Sequence, residues 1–137
     1  MTESFKFKRY CKTLRLQDDH EIIKAYKKTH AKENFWPEIT QGMKEVGILD
    51  MELYLFGNQV FMIMDTVIYF DHDTAMQELA DKPRQAEWEK YVARFQDTSG
   101  DATAGEKWQL MERIYTLDQK KEYTAAEGQL KDILSID

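Results

Sequence analysis

Residues 48–67 read ILDMELYLFGNQVFMIMDTV, and their reading decides the fold. Two runs of strand composition flank Gly57-Asn58, a dipeptide fit for a tight turn, so the segment predicts a β-hairpin. Its second arm is apolar on both faces, with Val60, Met62 and Met64 on one and Phe61 and Ile63 on the other. One face suits the chain's own core, and the other implies cover by a second copy. Upstream, FKFKRYCKTLRL (5–16) is rich in β-forming residues and precedes the break QDD, which predicts a first strand. Lys6, Lys8, Arg9, Lys12 and Arg15 give that strand a solvated face or an interchain charge match. Asp18 or Asp19 can cap a helix running to about His30, with Ile22, Tyr26 and His30 on one face at i, i+4, i+8. Pro37 suits a first helical position, and Ile39, Met43 and Val46 recur at helical spacing until Gly47 ends the run.

Downstream of the hairpin, 71–80 predicts a short helix. A further run after Asp81 and Pro83 places Trp88, Tyr91, Val92 and Phe95 at i, i+3, i+4, i+7. DTSGDATAGE (97–106) reads as a polar loop and QLMERIYTL (109–117) as a last strand. The order strand, two helices, hairpin, two helices, strand is an α+β, ferredoxin-like split β-α-β pattern. It implies one antiparallel four-stranded sheet with helices on one face. Pairing of two such sheets would give a homodimer. Residues 1–117 form the expected domain, and 118–137 a tail that can form a helix and whose Leu130, Ile133 and Leu134 pack on the domain or on the dimer partner.

The chain has 137 residues, of which 42% are hydrophobic and 32% charged, enough apolar surface for one packed core. Its net charge of -6 argues against a general nucleic-acid or anionic-membrane binder, which needs a basic patch. The first 14 residues lack the apolar core of a secretion signal, and no run approaches the ~18 apolar residues of a membrane span, so a cytoplasmic protein is expected. Cys11 is alone, which excludes an intrachain disulfide or a cysteine zinc site and suggests a buried strand thiol. His20 and His72 sit among aspartates in DDH and DHD, better read as helix caps than as metal ligands.

Taken in order, Tyr26-x-x-x-His30, FWPEI, Gly47 before ELYL and VFMIM, Trp88 before Lys90-Tyr91, and MERIYTL resemble the L-rhamnose mutarotase family. The resemblance spans about residues 7–117. It implies a dimeric α/β barrel, no metal or organic cofactor, and interconversion of the α and β anomers of a 6-deoxyhexose, L-rhamnose or L-fucose. By the same resemblance His30 is the proton donor and Tyr26 contacts the sugar. A paired-tryptophan position falls on Trp88 and Glu89, and a sugar-contacting tyrosine position on Met51, so two family aromatics are replaced here. About two extra residues precede Trp36-Pro37-Glu38.

Opening a pyranose needs a proton delivered to the ring oxygen and another removed from the anomeric hydroxyl. An imidazole with an ordinary pKa near ~6.5 can do either at neutral pH. His30 is expected to protonate the ring oxygen while a carboxylate, with Glu52 and Glu89 as candidates, a tyrosine or a bound water accepts the anomeric proton. Trp88 and Trp36 offer apolar faces to the sugar ring. Structural roles compete with these: His30 as a helix cap, Trp36 as a hydrophobic lid on the second helix, Trp88 as core, and Glu38 as a carboxylate favouring a helix N-terminus. A cofactor-independent monooxygenase or a non-catalytic small-ligand-binding module on the same dimeric barrel is the alternative function.

Overall fold

The computed structural model describes residues 7–97 and 103–117. Along the chain run β1 (Lys8–Arg15), α1 (His20–Thr29), α2 (Pro37–Glu45), β2 (Ile48–Phe56), β3 (Gln59–Thr66), α3 (His72–Ala80), α4 (Gln85–Ala93), α5 (Ala104–Lys107) and β4 (Gln109–Leu110). The strands form one antiparallel sheet in the order β2-β3-β1-β4, the split β-α-β topology that the pattern predicts. The expected tail, 118–137, lies outside the described residues.

Local chemistry sets the boundaries. Asp19 accepts hydrogen bonds from the Glu21 and Ile22 amides at 2.9 and 3.1 Å and so starts α1, while Lys27 and Lys28 in its last turn complement the helix dipole. Asp71 stands at the N-cap of α3 without a side-chain cap bond, and His72 Nδ1 lies 3.0 Å from Asp73 Oδ1. Pro37 opens α2, and Gly47 follows its C-cap at φ 103°, where an added Cβ would come 3.0 Å from Val67. Gly57, at φ 62°, occupies the first central position of the hairpin turn, the place a type II′ turn reserves for glycine.

The hairpin register aligns Met51 with Met64, Leu53 with Met62 and Leu55 with Val60; β1 continues these rows with Tyr10, Lys12 and Leu14. Directly paired residues share a face, so these rows form the floor of the core. All four longer helices cover it: Tyr26, Ile39, Trp88 and Val92 pack with Leu16 and Val60, and Ala75, Met76 and Leu79 pack with Tyr10, Met62 and Met64. The opposite face carries half-buried Phe61 and Ile63 beside exposed Tyr54 and Phe56. It also carries Arg9, whose guanidinium forks onto Asp65 at 2.8 and 3.0 Å. Cys11 is half-buried there, and burial raises its thiol pKa.

Three sequence expectations change. The basic strand is not uniformly a solvated or charge-matched face, because Lys12 is 2% exposed and shares the core rows. Residues 97–106 are not all loop: α5 is a single turn held by a capping box in which Thr103 and Glu106 exchange side-chain and backbone bonds. The last strand is shorter than 109–117. Its ladder with β1 covers Gln109 and Leu110, and the Met111 amide adds one bond to the Cys11 carbonyl at 2.7 Å. Ile114, Tyr115 and Leu117, 69–89% exposed, have strand propensity but pack on no sheet face among the described residues, and propensity without packing does not hold a strand.

Candidate active site

The α1 face ends at His30, the C-cap residue, whose ring centre lies 4.4 Å from that of Tyr26 one turn earlier, the two planes tilted by 45°. His30 Nδ1 lies 2.9 Å from the Tyr26 carbonyl oxygen. A carbonyl only accepts, so Nδ1 carries the hydrogen, and in the neutral ring Nε2 is the basic nitrogen left for a ligand. Phe35 and Trp88 close around the imidazole at 5.6 and 5.5 Å between ring centres. Burial lowers the His30 pKa below its ordinary 6.5, against the smaller opposing effect of the bond to Tyr26. His30 therefore rests as a neutral base at neutral pH.

Tyr26, His30, Met51, Trp88 and Glu89 line one pocket between the helices and the sheet, with Phe35, Ile39, Met43 and Leu53 among its apolar walls. An outer groove adjoins it, with His30, Phe35, Met43, Met51 and Leu53 bordering both. His30 thus stands where the interior meets solvent. Burial raises the Tyr26 phenol pKa strongly, with the Gln96 side chain as its hydrogen-bonding neighbour, so the phenol stays protonated.

Trp36 is not brought into this pocket. It packs behind Trp88 and Tyr91, 5.2 and 5.4 Å between ring centres, with the Arg84 guanidinium 4.1 Å above its ring. Arg84 adopts φ 63° at the N-cap of α4 and also reaches Glu38 and Glu87. Glu52 is likewise apart, because the pleat turns it to the outer face, where the Tyr54 hydroxyl donates to it at 2.9 Å.

Glu89 sits inside a buried polar chain. Lys107, with a side chain 0% exposed, places Nζ 2.7 Å from Glu89 Oε1, 2.8 Å from Gln96 Oε1 and 3.4 Å from the Glu89 carbonyl; Gln85 Nε2 donates to Glu89 Oε2 at 2.6 Å. Every N–H of this ammonium has an acceptor and both carboxylate oxygens have a donor, the condition under which a buried pair persists. Gln85, Gln96, Lys107 and Trp108 carry no sign in the sequence, and Lys12 enters it only as one of the basic residues of the first strand. Lys12 carried one legible sign: it falls in phase with Tyr10, Leu14 and Leu16 at period two. Among the described residues no group of three or more His, Cys, Asp or Glu side chains is placed to hold a metal, and no helix is long and apolar enough to cross a membrane.

A half-covered antiparallel sheet here backs a mostly apolar pocket lined by a neutral histidine and a protonated tyrosine, groups able to exchange protons with a small molecule. The comparisons make the class specific. The family model for L-rhamnose mutarotase matches residues 9–117, so the chain belongs to the L-rhamnose mutarotase family, a family of sugar isomerases. A UPF0734 protein of Dictyostelium discoideum is 32% identical over 124 residues, covering 88% of this chain and 98% of its own. An L-fucose mutarotase of Xanthomonas campestris is 32% identical over 113 residues, covering 81% of this chain and 89% of its own. The crystal structure of an L-rhamnose mutarotase from Formosa agariphila shares the fold, with a TM-score of 0.60 at 17% identity over 80% of this chain and 98% of that one.

Proposed function

We propose that the protein is a mutarotase that interconverts the α and β anomers of a 6-deoxyhexose, L-rhamnose or L-fucose. The observation that carries the reading is the tether of His30 Nδ1 to the Tyr26 carbonyl, which fixes the tautomer and leaves Nε2 for the sugar. The anomeric hydroxyl and the ring oxygen are bonded to one carbon, so a single nitrogen can serve both. Neutral Nε2 takes the anomeric proton as the C1–O1 double bond forms and the bond from C1 to the ring oxygen breaks. The resulting imidazolium returns that proton to the departing ring oxygen. Rotation about C1–C2 and the reverse sequence close the ring on the other face. Tyr26 donates a hydrogen bond that orients the sugar, Trp88 and Met51 face its C–H surface, and Glu89 holds the polar side of the pocket through its partners.

The test is saturation-transfer NMR between the α and β anomeric protons of L-rhamnose, L-fucose and D-glucose. Exchange above the buffer rate for one 6-deoxy sugar is expected. No acceleration for any sugar would leave a binding module on this fold as the remaining reading.

The working form is a homodimer in which a second copy covers the outer face of the sheet. Support comes from Tyr54 and Phe56, 55% and 82% exposed beside Phe61 and Ile63 on a face the helices leave bare. Light scattering should give twice the chain mass, and Phe56→Glu should shift it toward the monomer. A monomeric wild type refutes this assembly.

A further inference from the structure

Two polar side chains in the pocket take no part in the proton transfer, and each is buried with part of its hydrogen-bonding capacity unused. Lys12 lies in the central row of the core floor, between Met62 of β3 and Leu110 of β4, and is 2% exposed. Its ammonium donates to the Met76 thioether at 3.8 Å, a weak acceptor. Among the described residues no carboxylate lies within 4.0 Å of it; the charge that reaches it belongs to Asp73, whose side chain is 90% exposed on α3. Burial lowers the Lys12 pKa to about 8, the signature of a cation without adequate compensation. Replacing it with an apolar chain would relieve that cost, so packing gives no reason for a lysine here.

Gln85, 3% exposed, supplies the other open group. Its Nε2 donates to Glu89 Oε2 at 2.6 Å while its Oε1 is buried without a partner. Glu89 is held ion-paired by Lys107, and an ionised carboxylate only accepts, so the amide must turn its nitrogen toward Glu89 and Oε1 away from it. The chain Lys107–Glu89–Gln85 therefore fixes an acceptor, as β1 fixes a donor, in the same pocket.

We infer that Lys12 and Gln85 form a recognition point that reads hydroxyl groups of a neutral sugar, Lys12 donating to a hydroxyl oxygen and Gln85 accepting a hydroxyl hydrogen. The inference rests on the mutarotase reading of the pocket and deepens it. A hydroxyl both accepts and donates, so a polyol uses both open groups; a carboxylate uses the ammonium and leaves the amide oxygen facing an anion. A fixed donor and a fixed acceptor in one pocket suit the hydroxyls of a neutral sugar better than a bare carboxylate.

The experiment compares wild type with Lys12→Met and Gln85→Met, reading anomer exchange by NMR, KM, and the melting temperature without sugar. Lys12→Met should raise KM roughly 10- to 100-fold, the loss of a hydrogen bond to a charged group. Its sugar-free melting temperature should be equal or higher, because a buried, poorly compensated cation is gone. With monodeoxy sugars, wild type should lose the same factor for one particular missing hydroxyl, and Lys12→Met should be indifferent to that hydroxyl. Gln85→Met should lose affinity for a hydroxyl in the same manner. A lower melting temperature with unchanged KM in Lys12→Met would show that the lysine is structural and overturn the inference. Tighter binding of a hexuronate than of its neutral counterpart by wild type would overturn it too. If wild type accelerates no sugar at all, it is the mutarotase reading that fails, and the melting temperatures still report whether Lys12 is structural.

Discussion

His30→Ala is expected to slow enzyme-catalysed anomer exchange by roughly 10²- to 10⁴-fold, the usual contribution of one positioned acid–base group. KM should change far less, because Tyr26, Trp88 and the polar end of the pocket remain. Loss of exchange with wild-type circular dichroism places the proton carrier at His30; a variant that keeps wild-type exchange removes it from the mechanism. The pH profile gives a second check with a definite sign. Burial holds the imidazole pKa below its ordinary 6.5, so the active neutral form persists at pH values where a free imidazole is already largely protonated. The acid limb of kcat/KM should therefore bend below pH 6.5, and His30→Ala should abolish that bend. An acid limb centred at or above 6.5 would assign it to another group.

Much of this geometry was legible in the sequence because it is local. The four-residue step from Tyr26 to His30 fixes one helical face, Asp19 and Pro37 mark helix starts, and Gly57 between two apolar runs forces the hairpin on which the topology turns. What stayed hidden depends on partners distant in sequence. Trp36 reads equally as a sugar platform or a lid on the second helix, and Arg84, 48 positions later and itself left-handed, stacks on its ring beside Trp88. Glu52 and Met51 are neighbours in the chain, yet the pleat sends one to the outer face and the other into the pocket. The strand at 109–117 followed from propensity alone, and propensity is overruled where the described residues supply no surface to pack against. Lys12 was masked by its own type: lysine in a strand usually marks solvent, and only its phase with Tyr10 and Leu14 tells otherwise.

Lys107→Met is expected to be strongly destabilising, because it breaks the buried ion pair beside the pocket. Its ammonium is 0% exposed and bridges Glu89 and Gln96, on an element of a single turn whose own backbone bonds contribute little. Removing the cation leaves the Glu89 carboxylate, 10% exposed, facing only Gln85, and breaking a buried pair from one side costs about 3–5 kcal/mol. For a domain of this size that lowers the melting temperature by roughly 10 °C or more. The alternative is that Lys107 matters through its alkyl stem, packed near Trp108, which methionine would largely preserve. Adding Glu89→Gln separates the two. If the stranded charge is the cause, the double variant recovers most of the lost stability, since a neutral amide at position 89 can still pair with Gln85 and has no charge to desolvate. If the double variant is as unstable as the single one, packing and not charge holds α5 to α4. Recovery of stability without recovery of sugar affinity would further mean that the ion pair does more than hold the fold: it keeps the Gln85 amide turned so that its oxygen faces the sugar.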